Sequence, residues 1–182
     1  MKINGYFAFF MIFLLLASCQ PKNQIIQEWQ YKEINIPDET HYKVLGRDTV
    51  CAYFSDKPYK ILTYIDSVDC IGCQFDIYNW KRFIDSCDDS IVNFIFVVCS
   101  PDYEFLEYAL NEFHFNIPVI YDYIDVFNKI NHFPPAPYRT FLLDKDNRVV
   151  LVGSPLHSPQ LWDLYKRTIQ KMIDNDGVLP DA

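Results

Sequence analysis

Glycine is scarce in this chain, five in 182 residues, and nowhere do glycine and serine gather into a linker. No internal repeat or low-complexity tract is present either. Those absences exclude repeat architectures and strings of tethered domains, and one domain is the economical reading. Basic side chains are outnumbered, 16 against 24 acidic ones, for a formal net charge of −8. Removing the N-terminal segment, whose one charged side chain is Lys2, makes the balance more negative still, so no nucleic acid partner is expected. What the chain has in plenty is apolar surface: half of its residues, enough for one compact domain with a sizeable core. Its 15 Phe and 13 Tyr could line a sugar-binding face, but aromatics fill cores far more often.

One stretch organises the rest. The apolar run Ile61-Leu62-Thr63-Tyr64-Ile65 stops at Asp66-Ser67-Val68-Asp69 and delivers Cys70-Ile71-Gly72-Cys73 to what reads as the start of a helix. Two cysteines three apart can close a small disulfide. The first of them, at a helix start, sits where unpaired N–H groups and the helix dipole stabilise a thiolate. Redox chemistry is the leading reading.

At the N-terminus, Lys2 precedes an apolar stretch, Tyr6 to Ala17, with the length of an export-signal core and too short to span a bilayer comfortably. Its end, Leu16-Ala17-Ser18-Cys19, resembles the bacterial lipobox, in which the cysteine is diacylated and becomes the first mature residue. That resemblance implies a signal peptide over 1–18, lipidation at Cys19 and stable attachment to a membrane. The expected location is the bacterial cell envelope, lipid-anchored, facing the periplasm or the outer surface. Gln20 to Gln24 reads as a tether, and the partly alternating Ile25 to Ile36 as a strand; residues 19–48 together form a tether and N-terminal extension.

Thr49 to Phe54 predicts a second strand closed by Ser55-Asp56-Lys57-Pro58. From Gly72 to Cys87 the apolar positions Phe75, Ile77, Trp80, Phe83, Ile84 and Cys87 recur at helical spacing. Ile91 to Cys99 is too uniformly apolar for a half-exposed strand and reads as a central parallel strand. Ser100-Pro101 should cap a helix with Phe105, Leu106, Ala109, Leu110 and Phe113 inward, ending near His114. A short strand at 117–121 and a short helix at 126–130 come next. Thr140 to Leu143 and Val149 to Val152 form a hairpin over Asp144-Lys145-Asp146-Asn147, with Asn147 able to turn left-handed. Ser158-Pro159 caps the last helix, with Leu161, Leu164, Tyr165, Ile169 and Met172 inward.

A CxxC after a strand, Ile117-Pro118-Val119-Ile120-Tyr121-Asp122, and the hairpin entry Thr140-Phe141-Leu142-Leu143-Asp144 resemble the thioredoxin-like superfamily, and within it the TlpA-like envelope branch. The resemblance implies an α/β, thioredoxin-like fold over 49–182: a central mixed sheet flanked by helices, with an N-terminal β extension. It also implies a thiol-disulfide oxidoreductase with Cys70 and Cys73 catalytic. Three positions depart from the family pattern. Asp69 stands where a Trp usually precedes the first cysteine, Tyr64 replaces the buried acid, and Tyr138-Arg139 occupies the place of the family's cis-proline, leaving Pro137 one residue early. Pro137, Tyr138 and Asp69 are the candidate substrate groove, and Asp66 a candidate proton relay.

In such a cycle Cys70 attacks a substrate disulfide and Cys73 resolves the mixed disulfide. A helix terminus favours the Cys70 thiolate by about 0.3–1 kcal/mol, while Asp69 at ~4 Å in water opposes it by about 1 kcal/mol. The two nearly cancel, so a thiol without strong acidification is expected, suited to a reductant or isomerase. No metal or other cofactor is expected. Zinc would want four ligands and no second close pair exists; a Sco-type copper site would want CxxxC plus His; a peroxidase, with Arg139 as partner, would not need the CxxC. Cys51, Cys87 and Cys99 read as packing residues, with a structural bridge among them open in an oxidising compartment; His114 and His132 read as polar caps. The expected partners are thiols or disulfides of exported proteins and an unidentified redox partner. A different class remains alongside: a non-catalytic, thioredoxin-fold binding or accessory lipoprotein.

Overall fold

The computed structural model describes residues 22–37, 40–49, 57–66, 75–87 and 90–179. They build a seven-stranded sheet in the order β2-β1-β5-β4-β3-β6-β7. The strands are β1 (Tyr42–Val44), β2 (Arg47–Asp48), β3 (Tyr59–Ile65), β4 (Val92–Val98), β5 (Val119–Tyr121), β6 (Thr140–Leu143) and β7 (Val149–Val152). Interleaved with them are α1 (Lys22–Trp29), α2 (Ile77–Ile84), α3 (Tyr103–Glu112), α4 (Val126–Asn131) and α5 (Pro159–Ile173).

β3 and β4 are buried at every position and run parallel, Ile61 opposite Phe94 and Ile65 opposite Val98. A strand covered on both faces has no polar side to present, which is why both read as unbroken apolar runs. β5 continues the parallel set beside β4, while β6 pairs antiparallel with β3 and β7 with β6. The β6–β7 turn is closed by the Asp144 carboxylate, which accepts from the Asp146 and Arg148 amides at 2.9 Å each, and Asn147 does turn left-handed, at φ 60°.

Alternation along the strands sorts the core into two faces. On one, Ile61, Ile65, Phe94, Phe96 and Val98 pack against α2, α3 and α5 through Trp80, Phe83, Leu106, Leu110 and Tyr165. On the other, Leu62, Tyr64, Ile95, Val97 and Phe141 pack against α1 and α4 through Trp29 and Phe127.

Several expectations need correcting. The segment expected as tether and strand, 20–24 and 25–36, is helical from Lys22 to Trp29: Ile25 and Trp29 lie one turn apart and pack on the core, with exposed Gln24, Gln27 and Glu28 around them. Past Trp29 the chain forms an isolated bridge, Glu33 with Arg148, rather than a strand. The extension's strands are the hairpin β1–β2, joined to the sheet through β5; the strand expected over 49–54 falls, beyond Thr49, outside the described residues. α2 starts at Ile77, not Gly72, because the Asp76 carboxylate accepts from the Asn79 amide and ends the helix there. Asp102, not Ser100, caps α3; the Ser100 hydroxyl accepts from the Asp102 amide one step earlier. Phe105, Phe113 and Leu164, expected inward, are exposed at 48%, 44% and 38%. Ser158 caps α5 as expected, its hydroxyl accepting from the Leu161 amide.

Candidate functional site

β3 and β4 are the deepest strands, and where they end together the chain turns out of the sheet. The Cys99 amide donates to the Ile65 carbonyl at 2.9 Å, the last rung before both strands leave. From Asp66 the chain passes to Phe75 through the segment that carries Asp69, Cys70 and Cys73. These three residues, like Cys19 and Cys51, lie outside the described residues. The two ends of the segment are well anchored: Asp66 directly succeeds β3, and Phe75, 2% exposed, packs on Phe96 and Phe115. α2's own N-terminus is occupied by the Asp76 carboxylate, and Cys73 precedes its first residue by four positions.

The loop before β6 closes on the same end of the sheet. The Ala136–Pro137 peptide bond is cis, so among Pro134, Pro135 and Pro137 it is the third that carries this geometry. Pro137 lines a cavity of about 180 Å³ with Tyr64, Ile65, Trp80, Arg139 and Leu156. Thr63 and Thr140, facing each other across β3 and β6, share a hydrogen bond of 3.2 Å on its wall. Tyr138 is half-buried against the Trp29–Phe141 cluster and is not part of that lining.

Three groups meet beside the cavity, Tyr64 and Asp66 from the end of β3 and Arg139 from the loop before β6. Arg139 Nη1 lies 3.2 Å from Asp66 Oδ2, each side chain 18% exposed, and Arg139 Nε donates to the Pro134 carbonyl at 2.8 Å. The guanidinium carbon is 5.7 Å from the centre of the Tyr64 ring. The relay candidate Asp66 is therefore one half of an ion pair, its charge matched by a neighbouring cation. Tyr64, in the place of the family's buried acid, is 1% exposed, stacks on Phe133 at 4.7 Å and donates its hydroxyl to Asp125 Oδ1 at 2.5 Å. Burial first, and then the Asp125 hydrogen bond, pushes the Tyr64 phenol far above the ordinary tyrosine value.

Asp125 was not legible as a site residue. It takes a left-handed conformation, φ 59°, and makes no capping bond to α4; the buried Asp122 does that work instead, accepting from the Val126 and Phe127 amides at 2.8 Å each. His132 ends α4 with its amide donating to the Asn128 carbonyl, and His114 lies just past α3 at φ 49°. Cys99 is buried at the end of β4, and Cys87, just beyond α2, is a half-buried thiol in no disulfide whose pKa burial raises. Cys87 is therefore packed and poorly reactive.

No family model matches the chain, and no curated protein matches it. Solved structures do. The thioredoxin domain of a thiol-disulfide oxidoreductase from Bacteroides vulgatus aligns with a TM-score of 0.57 and 15% identity, over 76% of this chain and 96% of that one. A thiol-disulfide isomerase from Corynebacterium glutamicum aligns at 0.54 and 13%, over 78% and 97%. A secreted Mycobacterium tuberculosis disulfide oxidoreductase, homologous to E. coli DsbE, aligns at 0.50 and 15%, over 71% and 92%. With the mixed sheet and the helices on both its faces, these likenesses define the fold: the chain is a thioredoxin-like α/β protein.

Proposed function

We propose that this protein is a thiol-disulfide oxidoreductase of the bacterial cell envelope, lipid-anchored through Cys19, acting on cysteines of exported proteins through Cys70 and Cys73. The observation that carries the reading is the convergence at the C-terminal end of β3. The segment bearing both cysteines leaves the sheet at Asp66, and the Pro137 loop lines an apolar cavity at that same end. The structural neighbours named thiol-disulfide oxidoreductases and isomerase support the chemistry, and the secreted one supports a location outside the cytoplasm.

In the reductive direction the Cys70 thiolate attacks one sulfur of a substrate disulfide. The substrate S–S bond breaks, a mixed disulfide forms, and the second substrate sulfur leaves as a thiolate that takes a proton. Cys73 then attacks the Cys70 sulfur and releases the first substrate sulfur, so two electrons have moved to the substrate and Cys70–Cys73 is oxidised. A thiol redox partner must reduce it again. The Arg139 cation matches the Asp66 charge, which leaves Asp69 as the carboxylate expected to oppose the Cys70 thiolate; the Asp76 carboxylate already accepts at the α2 N-terminus, which weakens the support expected from that helix. Both adjustments leave Cys70 without strong acidification, the reductant or isomerase regime, and a Cys70 pKa measured below about 5 would contradict this.

The other reading, a non-catalytic binding or accessory lipoprotein, draws on Tyr64 in place of an acid. Trapping separates the two. In Cys73→Ser the mixed disulfide at Cys70 cannot be resolved, so the oxidoreductase reading expects substrate adducts sensitive to dithiothreitol on a non-reducing gel; their absence from cells expressing this variant would favour the accessory role.

A further inference from the structure

The stretch between the proposed anchor and the fold is very short. α1 begins at Lys22, so only Gln20 and Pro21 stand between Cys19 and a helix. Three residues of fully extended chain reach about 10 Å, less than a third of the ~36 Å diameter of a compact domain with a ~14 Å radius of gyration. The helix is no loose leader. Trp29, 2% exposed, stacks on Phe141 at 5.1 Å and on Phe133 at 6.0 Å. Beyond it the Tyr31 amide donates to the Val149 carbonyl, the Val149 amide to the Lys32 carbonyl and the Ile34 amide to the Asn147 carbonyl, at 2.8–2.9 Å. Asn131 of α4 bonds Asn35 in both directions, accepting from its amide at 2.8 Å and donating to its carbonyl at 2.9 Å.

We infer that α1 is the membrane-facing element of this protein, seated on the phospholipid headgroup surface, with the β1–β2 hairpin at the opposite edge of the sheet turned away from it. The inference rests on the reading of Cys19 as lipid-modified. Its outer surface carries exposed Gln24, Ile26, Gln27 and Glu28, succeeded by Tyr31 at 58% exposure. Among these exposed side chains Glu28 carries the one charge, and the nearby Lys32 ammonium is engaged with the Asn131 carbonyl and the Trp29 ring. The covalent anchor and its short reach hold the face down, with Ile26 and Tyr31 suited to the interface. β7 borders α1 and β2 lies six strand spacings away, roughly 29 Å at ~4.8 Å each. Redox partners must consequently meet the protein at the membrane surface.

Two measurements on the full chain purified from a bacterial host test this. Metabolic labelling with an alkyne fatty acid, compared with Cys19→Ala, reports the anchor. Amide relaxation in nanodiscs of phosphatidylethanolamine and phosphatidylglycerol, with a gadolinium-chelate headgroup, reports the face. The expected result is a Cys19-dependent label together with relaxation enhanced several-fold more at 24–28 than at 42–48. A spacer of twelve Gly/Ser residues between Pro21 and Lys22, with a root-mean-square span of about 19 Å, should flatten that gradient without altering the fold. No label would overturn the anchoring and the docking together; a label with equal or reversed enhancement would overturn the docking alone.

Discussion

The two faces of the sheet are both aromatic, yet they are built differently. Under α2, α3 and α5 most rings meet edge to face, Trp80 with Phe96 at 77°, Phe83 with Trp162 at 87° and Phe75 with Phe115 at 83°, although Tyr103 stacks on Tyr121 at 21°. Under α1 and α4 they stack, Trp29 on Phe141 at 27° and Tyr64 on Phe133 at 26°. The second face also admits polar chemistry: Tyr64 with Asp125, Arg139 beside Tyr64, Asn131 with Asn35. Interlocked rings suit a core whose task is stability. Buried polar pairs contribute less to stability, and their accumulation near the strand ends marks where the fold positions chemistry.

If that division is right, substitutions should separate the faces by size of effect. Phe83→Ala, at a side chain 0% exposed that meets Trp80, Phe94, Trp162 and Tyr165, should cost about 3–5 kcal/mol in urea unfolding. A loss below about 1 kcal/mol would mean that face is not the stability core.

Tyr64→Phe removes a hydrogen bond to a charged acceptor while keeping the ring, and should cost about 1.5–3 kcal/mol. It also bears on pH. Tyr64 and Tyr165, both driven up chiefly by burial, and Tyr103, pushed up to about 12, stay protonated in the fold after the unfolded chain has begun to ionise. Above pH ~10 the native state therefore holds more protons than the unfolded one, and stability falls as pH rises. Tyr64→Phe should make that fall shallower; an unchanged slope in urea midpoints between pH 9 and 11 would contradict the burial argument.

Arg139→Gln leaves Asp66 without its cation. At 18% exposure on each side the cost should be roughly 1–2 kcal/mol, between surface and buried pairs, with a lower rate of disulfide reduction because the site regains a carboxylate charge. The smallest effect belongs near the edge of the sheet: Lys43→Met breaks a partly exposed pair with Glu107 and should cost under about 1 kcal/mol, falling further in 1 M salt.

How much of this was legible in the chain depends on whether the signal was local. β3, β4 and the β6–β7 hairpin were, because continuous apolar runs and an Asp/Asn turn carry their own chemistry. Pro137 was visible as a candidate, but three prolines in four residues left the cis position open until the loop was placed. α1 was missed because Ile34 and Ile36 extend the Ile25–Trp29 pattern into an apparent alternation, which hides a helical turn. The Tyr64–Asp125 and Asp66–Arg139 pairs were out of reach for another reason: their partners lie 61 and 73 positions apart, and only the return of the chain to one end of the sheet joins them.

The most direct test of the central claim is the rate of insulin reduction with dithiothreitol for wild type and Cys70→Ser, followed as turbidity. The expected result is acceleration by the wild type that is lost in the variant, with both proteins equally folded by circular dichroism. Equal rates in the two would contradict it.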